Sequence, residues 1–343
     1  MEKKILLACE SSCDETAFSL YDVQNDLVIA SCIESQVKIH EKNGGVIPDL
    51  AASYHFSTIL PLLSYCLEKA NLSLNDVEYF AATKGPGLPG ALLIGYTFTK
   101  GLAWAKKKPF YGINHLEGHI YSAFLNEKNI PFPHLCLSVS GGHTALYKVE
   151  SFFDYKILGY TRDDAAGECF DKIGKLLNLP YPGGREIELL ATNTTPLKNE
   201  RKYPISVLDD GTISFSGLKT AVLYDLMKTG NYDSTKKKIR DEAPAEYRKS
   251  VAESTQYAIT KMLSAFFQHH IKKEISIKAL TFVGGVACNT IIRKEIKEIA
   301  DSLGIAFFAP EKKYCCDNAD MIAFVAAQQI KANKTISSYT ESI

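Results

Sequence analysis

Short apolar runs that end in small or polar residues recur along the chain and predict β-strands joined by tight turns. Residues 5–9 and 17–21 are two such runs, and a polar segment separates them. Residues 135–139 and 143–149 are a second pair, separated by Ser140-Gly141-Gly142. Two units of this kind, well separated in sequence, predict a duplicated α/β architecture.

Longer segments have apolar residues at helical spacing. Residues 48–67 and 244–273 each place their apolar residues on one helical face, and the second helix has Pro244 near its first turn. The remaining elements predicted from the same patterns are helices at 91–107, 164–177, 185–192, 288–303 and 318–332, and strands at 79–83 and 279–283.

Length and composition predict a globular protein of two lobes. The chain has 343 residues, of which 46% are hydrophobic and 23% are charged. The repeat divides it into an N-terminal lobe, 1–133, a C-terminal lobe, 134–335, and a frayed tail, 336–343. Its 39 basic residues balance its 39 acidic residues, which argues against an autonomous nucleic-acid binder.

Cysteine usage and the absence of long apolar runs predict a cytoplasmic protein. The nine cysteines are odd in number and lack paired metal-type spacing, as expected in a reducing compartment. The first apolar run is shorter than the roughly 7 residues that a signal peptide requires. No uninterrupted apolar stretch approaches the ~18 residues of a membrane span, so no membrane partner is expected.

His115 and His119 form a candidate metal pair. In a helix, residues four apart project from one face, where two imidazoles could share an ion; two ordinary histidines beside a chain bend are the alternative. Zinc proteases need a Glu directly after the first His, whereas Glu117 is two residues on. Asp317 is the best candidate for a third ligand, although it could equally cap the last helix.

Glycine-rich turns are candidates for nucleotide contacts. Ser140-Gly141-Gly142 could offer backbone N–H groups to a phosphate, although such a turn is often only a turn. Gly183-Gly184 with Glu188, and Gly284-Gly285 with Asn289, place a carboxylate or an amide near a second and a third glycine pair. Asp171 could face solvent, pair with Lys175 or bind a sugar hydroxyl.

Taken together, these segments resemble the tRNA N6-adenosine threonylcarbamoyltransferases, formerly called O-sialoglycoprotein endopeptidases. The resemblance covers roughly residues 5–330. The motifs that carry it are ESSCDET at 10–16, GGVIP at 44–48, GPGL at 85–88, HLEGH at 115–119, SGGHT at 140–144, DDAAGECFDK at 163–172, YPGG at 181–184, FSGLKT at 215–220, GGV at 284–286 and DN at 317–318.

The resemblance implies the duplicated actin, Hsp70 and sugar-kinase fold (ASKHA), with a nucleotide cleft between its lobes. It implies that His115, His119 and Asp317 hold one divalent metal ion per subunit, with Fe²⁺ preferred and Zn²⁺ the alternative. The residues that it places around the substrate are Ser138, Val139, Ser140, Gly141, Gly142, Asp171, Gly184, Glu188 and Asn289. Asp14 and Glu15 are weaker candidates for proton handling or for communication between the lobes.

The implied reaction transfers threonylcarbamoyl from threonylcarbamoyl-AMP to N6 of the adenosine 3′ to the anticodon, in tRNAs that read codons beginning with A. The implied partners are the tRNA anticodon loop, a degenerate paralogue of the same fold as heterodimer partner, and a small P-loop ATPase. A metal-dependent glycoprotein endopeptidase, a small-molecule kinase of this fold and a non-catalytic scaffold are the alternatives.

The chain departs from the family pattern at several positions, in the walls of the implied adenine pocket and in the first helix. Arg185 stands where the family usually has Pro, and Ser53 stands where it usually has Arg. Around Asn289 the family usually has Ser, Ala and Arg, whereas this chain has Ala287, Cys288 and Thr290. The implied ligand positions are unchanged, so the departures bear on substrate affinity rather than on the class of reaction.

Overall fold

The structure is a computed structural model that describes residues 4–41, 45–191, 198–274, 276–334 and 337. The chain divides into two compact units. Unit 1 comprises residues 1–128 and 316–343, and unit 2 comprises residues 129–315. The predicted turn at Gly44 and most of the predicted frayed tail lie outside the described residues.

Unit 1 contains one five-stranded sheet. Its strands are β1 (Ile5–Glu10), β2 (Glu15–Asp22), β3 (Leu27–Ser35), β4 (Val77–Gly85) and β5 (Phe110–Asn114). Its helices are α1 (Val37–His40), α2 (Pro48–Ala70), α3 (Pro89–Lys106), α4 (His115–Tyr121) and α10 (Ala319–Lys331). Helices α2 and α3 pack against the sheet, and their apolar faces form its core with Leu7, Phe18 and Phe80.

Unit 2 contains a second five-stranded sheet and a two-stranded ribbon. The sheet strands are β6 (His134–Val139), β7 (Thr144–Ser151), β8 (Asp154–Tyr160), β11 (Ala279–Val283) and β12 (Ala306–Phe308), and the ribbon is β9 (Tyr232–Asp233) with β10 (Lys238–Ile239). The helices are α5 (Ala166–Leu176), α6 (Gly183–Ala191), α7 (Ser216–Lys228), α8 (Ala245–Ile271) and α9 (Thr290–Ser302). The core packs around the buried length of α8.

The two large sheets have the same topology, which confirms the predicted duplication. The strand order is β3-β2-β1-β4-β5 in unit 1 and β8-β7-β6-β11-β12 in unit 2. In each sheet the first strand pairs antiparallel with the next strand in the chain and parallel with a later one. The predicted hairpins at Ser11 and Ser140 therefore occupy equivalent positions in the two units.

The predicted domain boundary was wrong for the last helix. The sequence predicts α10 as part of the C-terminal lobe, but this helix packs against β1, β2 and α4 of unit 1. Its face from Ala319 to Ala327 is almost continuously buried there. Apolar periodicity predicts that a helix has a buried face, but it does not specify which sheet covers that face.

The other elements that the sequence predicts are present in the structure, and their bounds shift by a few residues. The helix predicted from residue 288 begins at Thr290, after a 3₁₀ turn at Gly285–Cys288. Several elements were not predicted, among them the edge strands β3 and β8, whose side chains are mostly exposed or half-buried. The apolar run at residues 27–30 could have indicated β3.

Helix α2 is long and apolar enough to cross a membrane by length and composition alone. One side of the helix is buried against the sheet through residues that include Ile59, Leu63 and Cys66. A core helix of a folded domain passes the same test, so this property is weak support for a membrane span.

Candidate metal centre and nucleotide cradle

The two histidines of the HLEGH segment lie on one short helix, as their spacing predicts. Asn114 ends β5 and caps α4, because its side-chain oxygen accepts hydrogen bonds from the N–H groups of Leu116 and Glu117. Helix α4 therefore begins at His115. The rings of His115 and His119 are both buried, with centroids 4.8 Å apart.

Asp317 completes a three-residue group within unit 1. Its Oδ1 lies 3.0 Å from Nε2 of His119 and 3.5 Å from Nε2 of His115. One ligand atom from each residue lies within 4.8 Å of the other two. The alternative role of Asp317 as N-cap of the last helix was wrong, because the side chain of Asn318 accepts the hydrogen bond from the Met321 N–H.

Glu10 is a functional candidate that sequence reasoning missed. Its carboxylate is fully buried at the end of β1, where Oε2 lies 3.1 Å from Nδ1 of His115. The Ser12 N–H and the Thr83 hydroxyl both donate to the same carboxylate. The signal in the sequence was the first residue of the ESSCDET motif, a carboxylate directly after an apolar strand.

The charges around His115 fit a cation site. Burial opposes the charged imidazole, but the carboxylates of Asp317 and Glu10 outweigh it and raise the pKa of His115 to about 9. Hydrogen bonding of Nδ1 to Glu10 directs Nε2 towards Asp317, as is common for histidine ligands of metals. Two imidazoles and one carboxylate, with coordination positions left open, suit a catalytic Fe or Zn ion.

The turn that carries Asp14 and Glu15 is held by a buried histidine. His55 of α2 lies with Nε2 2.9 Å from the Cys13 carbonyl oxygen and Nδ1 2.7 Å from the Thr16 hydroxyl. Burial raises the pKa of Glu15 well above its usual value, and the negative charges of Asp14 and Asp317 raise it further. Glu15 therefore lies in the electrostatic field of Asp317 in the candidate metal centre.

In unit 2, the Ser140-Gly141-Gly142 turn is open on one side and closely packed on the other. Beyond the adjoining residues of the turn, no atom of the described part of the chain lies within 4 Å of a Cβ placed on Gly141 or Gly142. A Cβ on Gly167, at the start of α5, would lie 2.7 Å from the Ser140 carbonyl oxygen. Glycine at 167 therefore allows the first turn of α5 to approach the hairpin, and Gly141 and Gly142 leave room beside it.

The glycine pair after β11 approaches the same strand ends. Ser138 and Val139 are buried at the end of β6. Gly284 has φ +89°, and a Cβ there would overlap the Val139 carbonyl oxygen. The structure thus brings the predicted residues Ser138 to Gly142 next to Gly284 within unit 2.

The glycine pair Gly183-Gly184 lies against α5. Asp171 accepts a hydrogen bond of 2.8 Å from the Gly183 N–H, so this carboxylate anchors the start of α6. A Cβ on Gly183 would lie 2.7 Å from the Phe170 carbonyl oxygen, whereas one on Gly184 would make only ordinary contacts. Glycine at 183 therefore allows the start of α6 to approach α5 closely, and Gly184 stays a prediction for contact with the nucleoside.

Glu188 and Asn289 meet at the start of α9. Glu188 accepts hydrogen bonds from the N–H and the hydroxyl of Thr290. Asn289 caps α9 through the Ile292 N–H, and its amide exchanges two hydrogen bonds with Gln256. In this structure both side chains therefore organise the turn after β11.

The fold matches solved structures of low sequence identity. HypF from T. kodakarensis aligns with a TM-score of 0.64 at 13% identity, over 97% of this chain and 49% of that chain. Component A of (R)-2-hydroxyglutaryl-CoA dehydratase from Acidaminococcus fermentans aligns with a TM-score of 0.56 at 15% identity, over 97% and 100% of the two chains. With the duplicated sheets, these likenesses define an ASKHA-type fold.

Sequence comparisons identify the family. The family model described as tRNA N6-adenosine threonylcarbamoyltransferase (TsaD) matches residues 27–324. A relative of that name from Kosmotoga olearia is 44% identical over 95% of this chain and 93% of its own length, and one from Crocosphaera subtropica is 42% identical over 95% and 92%.

The chain belongs to the tRNA N6-adenosine threonylcarbamoyltransferase family. It is a transferase that moves a threonylcarbamoyl group onto N6 of an adenosine in tRNA. Neither the endopeptidase nor the kinase alternative is favoured by these relatives.

Proposed function

We propose that this chain takes the threonylcarbamoyl group from threonylcarbamoyl-AMP and transfers it to the adenosine 3′ to the anticodon, in tRNAs that read codons beginning with A. The donor is a mixed anhydride. The N6 amine attacks the carbamoyl carbonyl carbon, the bond from that carbon to the phosphate oxygen breaks, AMP leaves, and the amine loses a proton. The anticodon loop presents its bases without prior melting of a duplex.

The AMP portion of the donor binds in unit 2. The open side of the Gly141-Gly142 turn can offer backbone N–H groups to the phosphate. The glycine turns that would receive the nucleoside are flanked by Asp171, Gly184, Glu188 and Asn289. The phosphate side is formed by Ser138, Val139 and Ser140. Positioning of the donor supplies much of the rate, because an aromatic amine is a poor nucleophile.

A divalent metal ion, Fe²⁺ or otherwise Zn²⁺, is held by His115, His119 and Asp317. The convergence of these three side chains is the observation that carries the proposal. When bound, such an ion supplies Lewis-acid polarisation of the carbonyl group. Glu10 fixes the orientation of His115 through Nδ1.

Asp14 and Glu15 are proposed to take up the proton that the N6 amine releases. The pKa of Glu15 is raised, first by its burial and then by neighbouring carboxylates, which makes its carboxylate a stronger base than an exposed one. His55 keeps their turn in place.

The test is reconstitution with threonylcarbamoyl-AMP and unmodified tRNA, scored by the mass of the modified nucleoside and by release of AMP. We expect the variant with His115→Ala and His119→Ala to lose both metal and product while remaining folded. Glu117→Ala, on the same helix, serves as the matched control and should retain both. Full product formation by the metal-free double variant would overturn the metal assignment.

Partner proteins in the cytoplasm complete the proposed system: a degenerate paralogue of the same fold as heterodimer partner and a small P-loop ATPase. Exposed apolar side chains on α2 and α3, two helices of unit 1 that pack against each other, support a protein partner. Phe56 and Trp104 are 73% and 70% exposed there, and Leu60 and Leu93 are also exposed. Surfaces of this kind often mark interaction sites.

The partner proposal is tested by pull-down of the purified paralogue. We expect Phe56→Asp with Trp104→Asp to abolish binding without unfolding the chain. Tyr224→Asp, at an equally exposed aromatic residue on α7 (65% exposed), should bind normally. Addition of the ATPase should then increase turnover by the heterodimer. Unchanged turnover would show that the ATPase is not part of this system.

A further inference from the structure

Two cysteine side chains outside the proposed metal and nucleotide sites meet within unit 2. Cys288 ends the 3₁₀ turn after β11, and Cys315 follows the 3₁₀ helix Lys312–Tyr314. Their thiols share a hydrogen bond. Both sulfur atoms also face one backbone segment, because Sγ of Cys288 lies 3.7 Å from the Lys312 carbonyl oxygen and Sγ of Cys315 lies 3.5 Å from that of Glu311.

Arg293 of α9 forms hydrogen bonds with both segments that carry the two thiols. Its Nη2 lies 3.3 Å from Sγ of Cys315 and 3.0 Å from the Pro310 carbonyl oxygen, and its Nε donates to the Ala287 carbonyl oxygen at 2.7 Å. One guanidinium therefore ties together the two backbone segments that carry the cysteines. A cation beside sulfur also stabilises negative charge that develops on it during thiol chemistry.

The two thiols differ in access to solvent. Cys288 is half-buried, whereas Cys315 is buried. A small oxidant therefore reaches Cys288 first, and Cys315, whose sulfur faces the same backbone segment, is the neighbouring thiol that can react with the oxidised sulfur. This arrangement of an accessible thiol and an adjacent second thiol is typical of redox-sensitive cysteine pairs.

We propose that Cys288 and Cys315 form a peroxide-sensitive dithiol, a modification site that closes to a disulfide. The Cys288 thiolate attacks one oxygen of hydrogen peroxide, the O–O bond breaks, and a sulfenic acid and water form. The Cys315 sulfur then displaces the sulfenic oxygen, which leaves as water with the thiol proton. Two thiols and one peroxide thus give one disulfide and two water molecules.

The disulfide would constrain the proposed nucleotide site. Cys288 directly precedes Asn289, which caps α9 and binds Gln256, and Thr290 binds Glu188. A covalent link from residue 288 to residue 315 limits adjustment of this turn when substrate binds. We expect threonylcarbamoyl transfer to slow by about tenfold, since small misplacements of binding groups have effects of this size or larger. The thiol chemistry itself does not depend on the proposed donor or metal.

The test combines peptide mass spectrometry with transfer assays on the full chain. Metal-depleted protein is treated with limited hydrogen peroxide, free thiols are alkylated, and the protein is digested without reduction. We expect a Cys288–Cys315 linked peptide that disappears after reduction. After removal of peroxide and reloading with metal, the oxidised wild type should be slow and should recover on reduction, whereas Cys288→Ala should be unaffected by peroxide.

Two controls separate this pair from the other cysteines. Cys32 and Cys66 also share a hydrogen bond but are both buried, so they should remain free thiols. Cys316 is exposed next to Cys315, and Cys316→Ser should still give the Cys288–Cys315 link. Linkage through Cys316 or Cys66 instead, or oxidation of Cys288 while Cys315 stays a free thiol, would overturn the site. Equal inactivation of Cys288→Ala would overturn its effect on transfer.

Discussion

Glu10 and His115 are 105 residues apart in the chain, and Oε2 of the first lies 3.1 Å from Nδ1 of the second. Burial opposes the negative charge on Glu10, but His115 and the Thr83 hydroxyl outweigh it and lower the pKa of this carboxyl group. The pair therefore consists of a carboxylate and an imidazole whose second nitrogen faces Asp317.

Glu10→Gln should weaken metal binding while leaving all three proposed ligands in place. An amide orients His115 less strongly than a carboxylate, and the loss of such an outer partner typically costs about 10–100-fold in metal affinity. Anaerobic titration with Fe²⁺ and competition with Zn²⁺ would measure the change. Glu117→Gln is the control on α4 and should bind metal as the wild type does; equal affinities for both variants would contradict the role of Glu10.

The Gly141→Ala variant should distinguish a turn that binds the donor phosphate from a turn that has only a structural role. Beyond the adjoining residues, no described atom lies within 4 Å of a Cβ at this position, so the free energy of unfolding should change by less than about 1 kcal/mol. If the donor phosphate lies against this turn, its affinity should fall at least tenfold. Chemical denaturation and AMP binding measure the two quantities.

Gly167→Ala provides the contrasting case. Its Cβ would lie 2.7 Å from the Ser140 carbonyl oxygen, so the variant should lose stability as well as AMP binding. AMP affinity that is unchanged in Gly141→Ala would argue that the turn has only a structural role.

His134 should make the protein sensitive to mild acid. Its ring is buried at the start of β6, and burial, only partly offset by a hydrogen bond to the Pro131 carbonyl, lowers its pKa from 6.5 to about 4. Stabilisation by the neutral ring is complete above pH 6.5 and is lost as the pH falls towards 4, because the unfolded chain binds the proton more readily.

The expected size follows from the two pKa values. Between about pH 7.5 and about pH 5, the wild type should lose about 2 kcal/mol more unfolding free energy than His134→Gln. Urea denaturation at both pH values measures this difference. His143→Gln is the control and should lose stability as steeply as the wild type; parallel losses in wild type and His134→Gln would exclude this origin of acid sensitivity.

Asn289→Ala should destabilise unit 2 even when no substrate is bound. The variant removes the cap of α9 and leaves the buried Gln256 amide without two hydrogen bonds, which together should cost about 2–4 kcal/mol. Thermal unfolding with and without AMP measures the loss. Thr290→Ala, which also removes a polar group from this turn, should cost less because the Thr290 N–H can still donate to Glu188.

The sequence predicted the parts of the site that depend on local spacing. His115 and His119 share a helical face because they are four residues apart, and the strands around Ser140 follow from short apolar runs. Glu10 could not be assigned to His115, because a contact over 105 residues leaves no periodic signal. The placement of α10 in unit 1 depends on which apolar surface covers it, and a single sequence does not contain that information.

Because residues 316–343 belong to unit 1, the proposed metal site is completed only late in translation. Asp317 is 198 residues beyond His119, so a ribosome adding about 5–20 residues per second needs roughly 10–40 s to supply the third ligand. During that interval the nascent polypeptide has both histidines but not Asp317, which precedes the N-cap of α10. Loading of the proposed metal ion would consequently be a late event in biosynthesis, and a message that terminates early would yield chains without the third proposed ligand.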